Sequence, residues 1–229
     1  MNSLECDAIL FDLDGVLLDS TGCFSRHWKD WAERHGLDFE QIRGMAHGVR
    51  TIETMRLVAP HLDVEKEAEQ FNTNEVVDTA GVVAIEGAQQ VLEALPEGSW
   101  AIVTSGSSGL ARARLRQAGL PMPSILVTAD DVRQGKPAPE PYLRGAERLG
   151  IAAERCVVIE DAPAGITAGK KAGMRVIGIP FTHQQEELLE HGADMVINQL
   201  TQLQIRETGD GLVIEIERGE TEDGRQRRM

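Results

Sequence analysis

Four short groups of reactive side chains punctuate the sequence. The first is Ile9-Leu10-Phe11-Asp12-Leu13-Asp14-Gly15, an apolar run that ends in two carboxylates one residue apart. In extended chain, residues i and i+2 point to the same side. Asp12 and Asp14 therefore converge where a strand ends, and Gly15 lets the chain turn away. That end of a strand is where open α/β sheets collect ligands. Adjacent carboxylates repel, so a bound cation or unequal protonation must offset them. A second acidic pair, Glu160-Asp161, closes the apolar run Val157-Val158-Ile159 and precedes a helix that starts at Pro163. If both runs are neighbouring central strands, four carboxylates meet in one crevice. Magnesium, a hard cation that seeks oxygen ligands, suits such a cluster.

Opposite charge and hydrogen-bond donors come from the other two groups. Trp100-Ala101-Ile102-Val103 leads into Thr104-Ser105-Gly106, with Ser107 and Ser108 at an expected helix start. Hydroxyls and free backbone N–H groups of this kind cradle phosphate oxygens. Gly135-Lys136-Pro137-Ala138-Pro139 fixes one ammonium in a proline-rich turn, a point charge suited to phosphate and to nearby carboxylates. Taken singly, a Ser/Thr turn caps a helix and a lysine sits on the surface. The order of the four groups is what gives them weight.

The elements that must position these groups read as a βαβ rhythm. Strands are expected at residues 8–13, 100–104, 125–128, 156–159, 176–179 and 195–197, nearly all apolar. Such runs belong to a parallel sheet covered on both faces, so the fold class is α/β with a Rossmann-like sheet core. Helix patterns lie between them, with Gly119, Gly150 and Gly173 at the expected C-caps. The stretch 17–82 breaks the rhythm and reads as an inserted helical cap without a convincing strand. Phe24, Trp28, Trp31 and Ala32 form one stripe of a helix that Gly36 ends; further helices are expected at 52–59, before Pro60, and from Asp63 toward Val77. The division is thus a core of 1–16 and 83–206, a cap of 17–82, and an extension of 207–229, an edge strand at 212–216 followed by a disordered tail.

Composition narrows the possibilities. At 229 residues with 41% hydrophobic side chains, the chain can bury a sizeable core. Its 23 Lys and Arg against 37 Asp and Glu leave a formal charge of -14, which argues against nucleic acid and anionic membrane as partners. Three cysteines without a CxxC pair suggest a reducing, cytoplasmic setting, and no signal or membrane-spanning run is expected at the start. A monomer or weak dimer is expected.

With DxD, TSG, GKP and ED in this order, the sequence resembles the haloacid dehalogenase-like hydrolases, the superfamily of aspartate-nucleophile phosphatases, from its start to about residue 206. The resemblance implies Asp12 as nucleophile and Asp14 as general acid and base. It implies Thr104 and the Ser105 amide as phosphoryl ligands, with Lys136 steadying charge. It also implies a Mg2+ site formed by Asp12, the Asp14 carbonyl and Asp161, with Glu160 orienting these ligands from behind. Within the family, EDAPAG, IVTSG, GKPAPEPYL and the cap segment HGVRT look like the branch acting on small sugar and polyol phosphates, including glycerol and 2-deoxyglucose phosphates. That branch makes His47 and Arg50 the expected specificity residues. His27, His35, His61 and His183 are expected to be surface or packing residues.

One position departs from the usual DxDGT: Val16 stands where many members carry threonine. Valine also occurs among sugar-phosphate mutases of the family, so a phosphomutase using the same nucleophile stays open. So does a non-catalytic regulator that binds phosphate only to move its cap, because fold does not determine function.

Overall fold

The computed structural model describes residues 2–217, and nearly all of the expected polar tail lies outside them. The chain opens with β1 (Asn2–Cys6) and, one residue later, β2 (Ala8–Phe11). A short strand, β3 (Leu18–Asp19), then leads into α1 (Thr21–His35), α2 (Phe39–Ala46), α3 (Thr51–Val58) and α4 (Val64–Val77). The return is β4 (Val83–Ala84), which pairs antiparallel with β3. The helical segment is thus entered and left through one two-stranded ribbon. A strand at 18–19 is not expected from the sequence, because two residues are too few to show a period.

Alternation of helix and strand resumes with α5 (Ala88–Glu93), β5 (Trp100–Val103), α6 (Ser108–Ala118) and β6 (Leu126–Val127). It continues through α7 (Glu140–Leu149), β7 (Cys156–Glu160), α8 (Pro163–Lys171), β8 (Arg175–Gly178), α9 (Gln185–Glu190) and β9 (Met195–Val196). Six strands form a parallel sheet in the order β6-β5-β2-β7-β8-β9. The period of two divides each central strand between the faces. Ile9, Phe11, Ile102 and Ile159 pack with α5 and α6 on one side; Leu10, Val103 and Val158 pack with Tyr142 of α7 and Ile166 of α8 on the other. With β5 on one side and β7 on the other, β2 lies inside the sheet, so the residues following all three strands meet at one edge.

The inserted helices have their own core of Trp28, Trp31, Ile42, Met55, Ala68 and Phe71. Gly36 ends α1 in the left-handed conformation, φ 66°, which glycine adopts without steric cost. Helix α2 was not expected from the sequence. Asp38 caps it by accepting from the Glu40 amide at 2.9 Å, but Gly44 within it weakens the helical signal.

The last strands, β10 (Leu203–Thr208) and β11 (Gly211–Ile216), form a hairpin across Gly209-Asp210. Together with β1 they make a three-stranded antiparallel sheet in the order β1-β11-β10. This corrects the expectation of an edge strand at 212–216: β11 is the central strand. Its buried Leu212 and Ile214 join the core on the α5 side of the large sheet. Among the described residues, no helix is long and apolar enough to cross a membrane.

Candidate active site

Asp12 is the first residue beyond β2, and its amide still donates to the Ile159 carbonyl of β7 at 2.9 Å. The sheet therefore fixes its backbone. Lys136, fully buried, donates to Asp12 Oδ1 at 2.5 Å, to Glu160 Oε1 at 2.7 Å and to the Val103 carbonyl at 3.1 Å. Those three bonds use all three ammonium protons. Burial alone would lower the lysine's pKa, but Asp12 and Glu160 outweigh it and hold the group above its ordinary value. Lys136 therefore stays charged.

Glu160, the last residue of β7, is saturated. Its Oε1 accepts from Lys136 and, at 2.9 Å, from the Tyr142 hydroxyl; its Oε2 accepts from the amides of Asp161 at 2.8 Å and Ala162 at 3.0 Å. It is an anchor for its neighbours, with no acceptor to spare for a ligand. Gly165 makes room for it, since a Cβ there would lie 1.5 Å from Glu160 Oε1. Asp161 projects beside Asp12, accepts a hydrogen bond from the Thr182 hydroxyl and packs against Gly15. Burial, then the charges of Glu160 and Asp12, push its carboxyl well above the usual range.

Carboxylate oxygens of Asp12, Glu160 and Asp161 lie within 4.8 Å of one another. Three buried carboxylates face one ammonium, and burial first, then the charges of its two neighbours, raises Asp161. An all-oxygen donor set with uncompensated charge fits a hard divalent cation. Because Glu160 is saturated, Asp12 and Asp161 are the side chains available to hold it.

Asp14 stands one turn further into the loop, where Gly15 adopts φ 85°. Its Oδ1 accepts from Ser20 Oγ at 2.6 Å and from Arg114 Nη1 at 2.8 Å. Thr104 follows β5 and is anchored by its amide to Val127, while Ser107 caps α6 by accepting from the Leu110 amide. The Ser105 hydroxyl donates to the Gly48 carbonyl at 2.8 Å, joining the phosphate-type turn to the segment between α2 and α3.

These groups enclose a cavity of about 70 Å³ lined by Asp12, Asp14, Thr104 and Ser105 from below and by Phe24 and His47 from above. His47 stacks on Phe24 with ring centroids 4.1 Å apart. Burial first, then His183 and Arg43, lowers its pKa to about 4, so it meets the cavity uncharged at neutral pH.

Two expected ligands do not line this cavity. Lys136 lies beneath Asp12 and does not line the cavity. Arg50 turns away from it: its guanidinium donates to the carbonyls of Val132 at 3.3 Å and Arg133 at 2.9 Å and pairs with Glu53. Glu53 in turn accepts from the Gly135 amide at 3.3 Å. Arg50 thus braces the turn that carries Lys136. Two of the histidines pack on aromatic rings, His27 on Phe71 and His183 on His47, and also have polar neighbours. His183 Nδ1 lies 2.9 Å from the Thr182 hydroxyl that bonds Asp161. His27 groups with Cys23 and Asp78, although Arg26 already pairs with that aspartate.

Tyr142, Thr182, Arg114 and Glu75 are not among the residues expected from the sequence. For the last two a signal existed. Arg114 shares the buried face of α6 with Leu110, Ala111 and Leu115, and Glu75 shares that of α4 with Ala68 and Phe71. A charged residue on an apolar helix face is rare unless it is paired.

The fold and the carboxylate-lysine edge define a class of hydrolase. Residues 6–173 match the family model of the haloacid dehalogenase-like hydrolases, and the chain belongs to that family. It is 41% identical over 216 residues to hexitol phosphatase A of Escherichia coli, covering 92% of this chain and 99% of that one. Glycerol-1-phosphate phosphohydrolase 2 of Saccharomyces cerevisiae is 36% identical over 85% of this chain and 83% of its own length. Among solved structures, a hydrolase from Pseudomonas syringae superposes with a TM-score of 0.76 at 26% identity, covering 86% of this chain and 94% of that one.

Proposed function

We propose that this protein is a magnesium-dependent phosphatase that hydrolyses small sugar and polyol phosphates through a phospho-Asp12 intermediate. The observation that carries the reading is Asp12 itself: buried at a sheet edge, held through Oδ1 by Lys136, and facing a cavity that Asp14 shares. Similarity to phosphatases named for hexitol and glycerol-1-phosphate supports the substrate class.

Hydrolysis of phosphate monoesters is among the slowest uncatalysed reactions, with accelerations reaching ~10²¹, so several effects must combine. A carboxylate oxygen of Asp12 attacks phosphorus while Asp14 gives its proton to the departing alkoxide, leaving an aspartyl phosphate and a free alcohol. Asp14, now a carboxylate, takes a proton from water as that water attacks phosphorus, which returns Asp12 and releases phosphate. Thr104 and the Ser105 amide bind the phosphoryl oxygens; burial raises the Asp12 pKa to about 7, and Lys136 opposes that rise and aims the carboxyl. Asp12 and Asp161 would hold the magnesium ion, which supplies neutralisation of phosphoryl charge when bound. His47, uncharged and stacked on Phe24, offers the hydroxyl-bearing part of the substrate a neutral hydrogen-bonding wall. The three buried, free cysteines suit a reducing, cytoplasmic setting.

The test is phosphate release from C3 to C6 sugar and polyol phosphates, with magnesium and with chelator, using Asp12→Asn as the blank. Magnesium-dependent release that is lost in the blank, with an unchanged melting temperature, is the expected result. Full activity in Asp12→Asn would sink the mechanism. Conversion of a hexose 1-phosphate to its 6-phosphate without free phosphate would assign a phosphomutase instead.

A further inference from the structure

Arg114 is an ion where an apolar residue would be expected. Its neighbours on the inward face of α6 are Leu110, Ala111 and Leu115, and all four are buried. The guanidinium spans two separate parts of the molecule. Nη1 donates to Asp14 Oδ1 at 2.8 Å, and Nη2 donates to Glu75 Oε1 of α4 at 2.9 Å. Nε is buried without a hydrogen-bond partner. Removing such ions from water costs several kcal/mol each, and replacing a buried ion pair with apolar side chains is often neutral or stabilising. Stability therefore gives no sufficient reason for the triad.

Its geometry gives another. Arg114 and Ser20 both donate to Oδ1 of Asp14, and no hydrogen bond among the described residues reaches Oδ2. One oxygen is clamped and the other left for the cavity. The clamp is also shared: Glu75 sits on the inserted helices, and α4 packs on α6 closely enough that a Cβ on Gly109 would lie 3.4 Å from Val76. We propose that Arg114 is a positioning residue that aims the Asp14 carboxyl at the leaving group, and that Glu75 makes this aim depend on α4 being seated against α6. The proposal rests on the acid-base role assigned to Asp14 above. A cap that is not seated leaves Arg114 without its second anchor and Asp14 poorly aimed, which couples cap closure to proton transfer.

The experiment compares leaving groups. An alkyl ester such as a hexitol 6-phosphate needs a proton as its alkoxide departs; p-nitrophenyl phosphate does not, because p-nitrophenolate leaves unaided. Full-length wild type, Arg114→Met, Arg114→Lys, Glu75→Gln and the Glu75→Gln/Arg114→Met double variant are assayed with magnesium, by steady-state kinetics and by first-turnover bursts.

Arg114→Met should lose ~10²-fold in kcat on the alkyl ester, the scale of a misplaced general acid, with KM little changed. It should keep the first-turnover burst of p-nitrophenolate and then turn over slowly, because the aspartyl phosphate also needs Asp14 for its hydrolysis. Arg114→Lys should recover part of kcat. Glu75→Gln should show the same selective loss, and the double variant should be no worse than the worse single variant, since both act through one carboxyl. Equal losses of first-turnover rate on both esters, or additive losses, would overturn the proposal. If Arg114→Met does not fold, the double variant removes the buried, unpaired Glu75 charge and gives the same comparison. Failure of the wild type to release phosphate from any alkyl ester would overturn the phosphatase reading as well; turnover with an unaltered first-turnover preference between the esters would overturn only the coupling.

Discussion

Asp161 and Gly15 touch so closely that a Cβ on the glycine would lie 2.0 Å from Asp161 Oδ2. The turn after the DxD pair is therefore shaped around the second acidic cluster, and the glycine's φ of 85° is the left-handed conformation that favours glycine.

Gly15→Ala should therefore displace Asp161 while leaving Asp12 on its strand. The apparent magnesium affinity should fall by at least ~10-fold, the scale seen when the surroundings of a metal ligand are disturbed. Titration of activity with magnesium measures it, and saturating magnesium should restore a large part of the rate. Wild-type magnesium dependence in this variant would remove Asp161 from the metal site.

Gly48→Ala tests the seat of the helical segment. Gly48 has φ 74°, and a Cβ there would come 2.8 Å from the Cβ of Ala162. Left-handed strain alone costs roughly 1–2 kcal/mol, and the contact must open the Ser105–Gly48 hydrogen bond as well. We expect kcat/KM to fall about tenfold or more, each 1.36 kcal/mol being a factor of ten, with little change in the melting temperature of the core.

Arg50→Met should lower kcat/KM by the same factor for every substrate, because Arg50 bonds to the turn before Lys136 and not to the cavity. His47→Ala should instead alter the ranking of polyol phosphates. A substrate panel run on both variants separates the two roles, and a reordered ranking in Arg50→Met would return that arginine to substrate contact.

Glu75 gives the protein a pH-dependent stability. Burial raises its pKa from 4.5 to about 7, against the opposing pull of Arg114. Between those values the folded state binds a proton that the unfolded state has lost, so stability falls as pH rises through this window and levels off above it. The full effect is on the order of 3 kcal/mol. Urea melts of wild type and Glu75→Gln at pH 5 and pH 8 isolate it: the stability of the wild type relative to the variant should be lower at pH 8. A pH-independent difference would place the Glu75 pKa at its ordinary value.

The candidate site was legible because each motif follows an apolar run that becomes a strand: Asp12 follows β2, Thr104 follows β5, and Glu160 ends β7. Strand order then brings them together without further information. The α1 stripe from Phe24 to Ala32 and its Gly36 stop were equally readable. What escaped were features that depend on distant partners. Arg114 and Glu75 interrupt apolar faces, and only their mutual contact explains them. The direction of Arg50 depends on carbonyls more than eighty residues away. The central position of β11 depends on pairing with β1, whose polar composition carries no strand period.

That last pairing also bears on synthesis. Cys6 lies opposite Leu212, and only Asp7 separates β1 from the strand that presents Asp12. A chain emerging from the ribosome can close its large sheet once β9 has appeared, yet β1 gains its partner only when residues 211–216 follow. Until then the nascent enzyme carries an unpaired strand edge directly upstream of Asp12, the kind of edge that recruits other chains. Truncation before residue 211 would make that exposure permanent, so its consequence would be self-association of an otherwise assembled catalytic core.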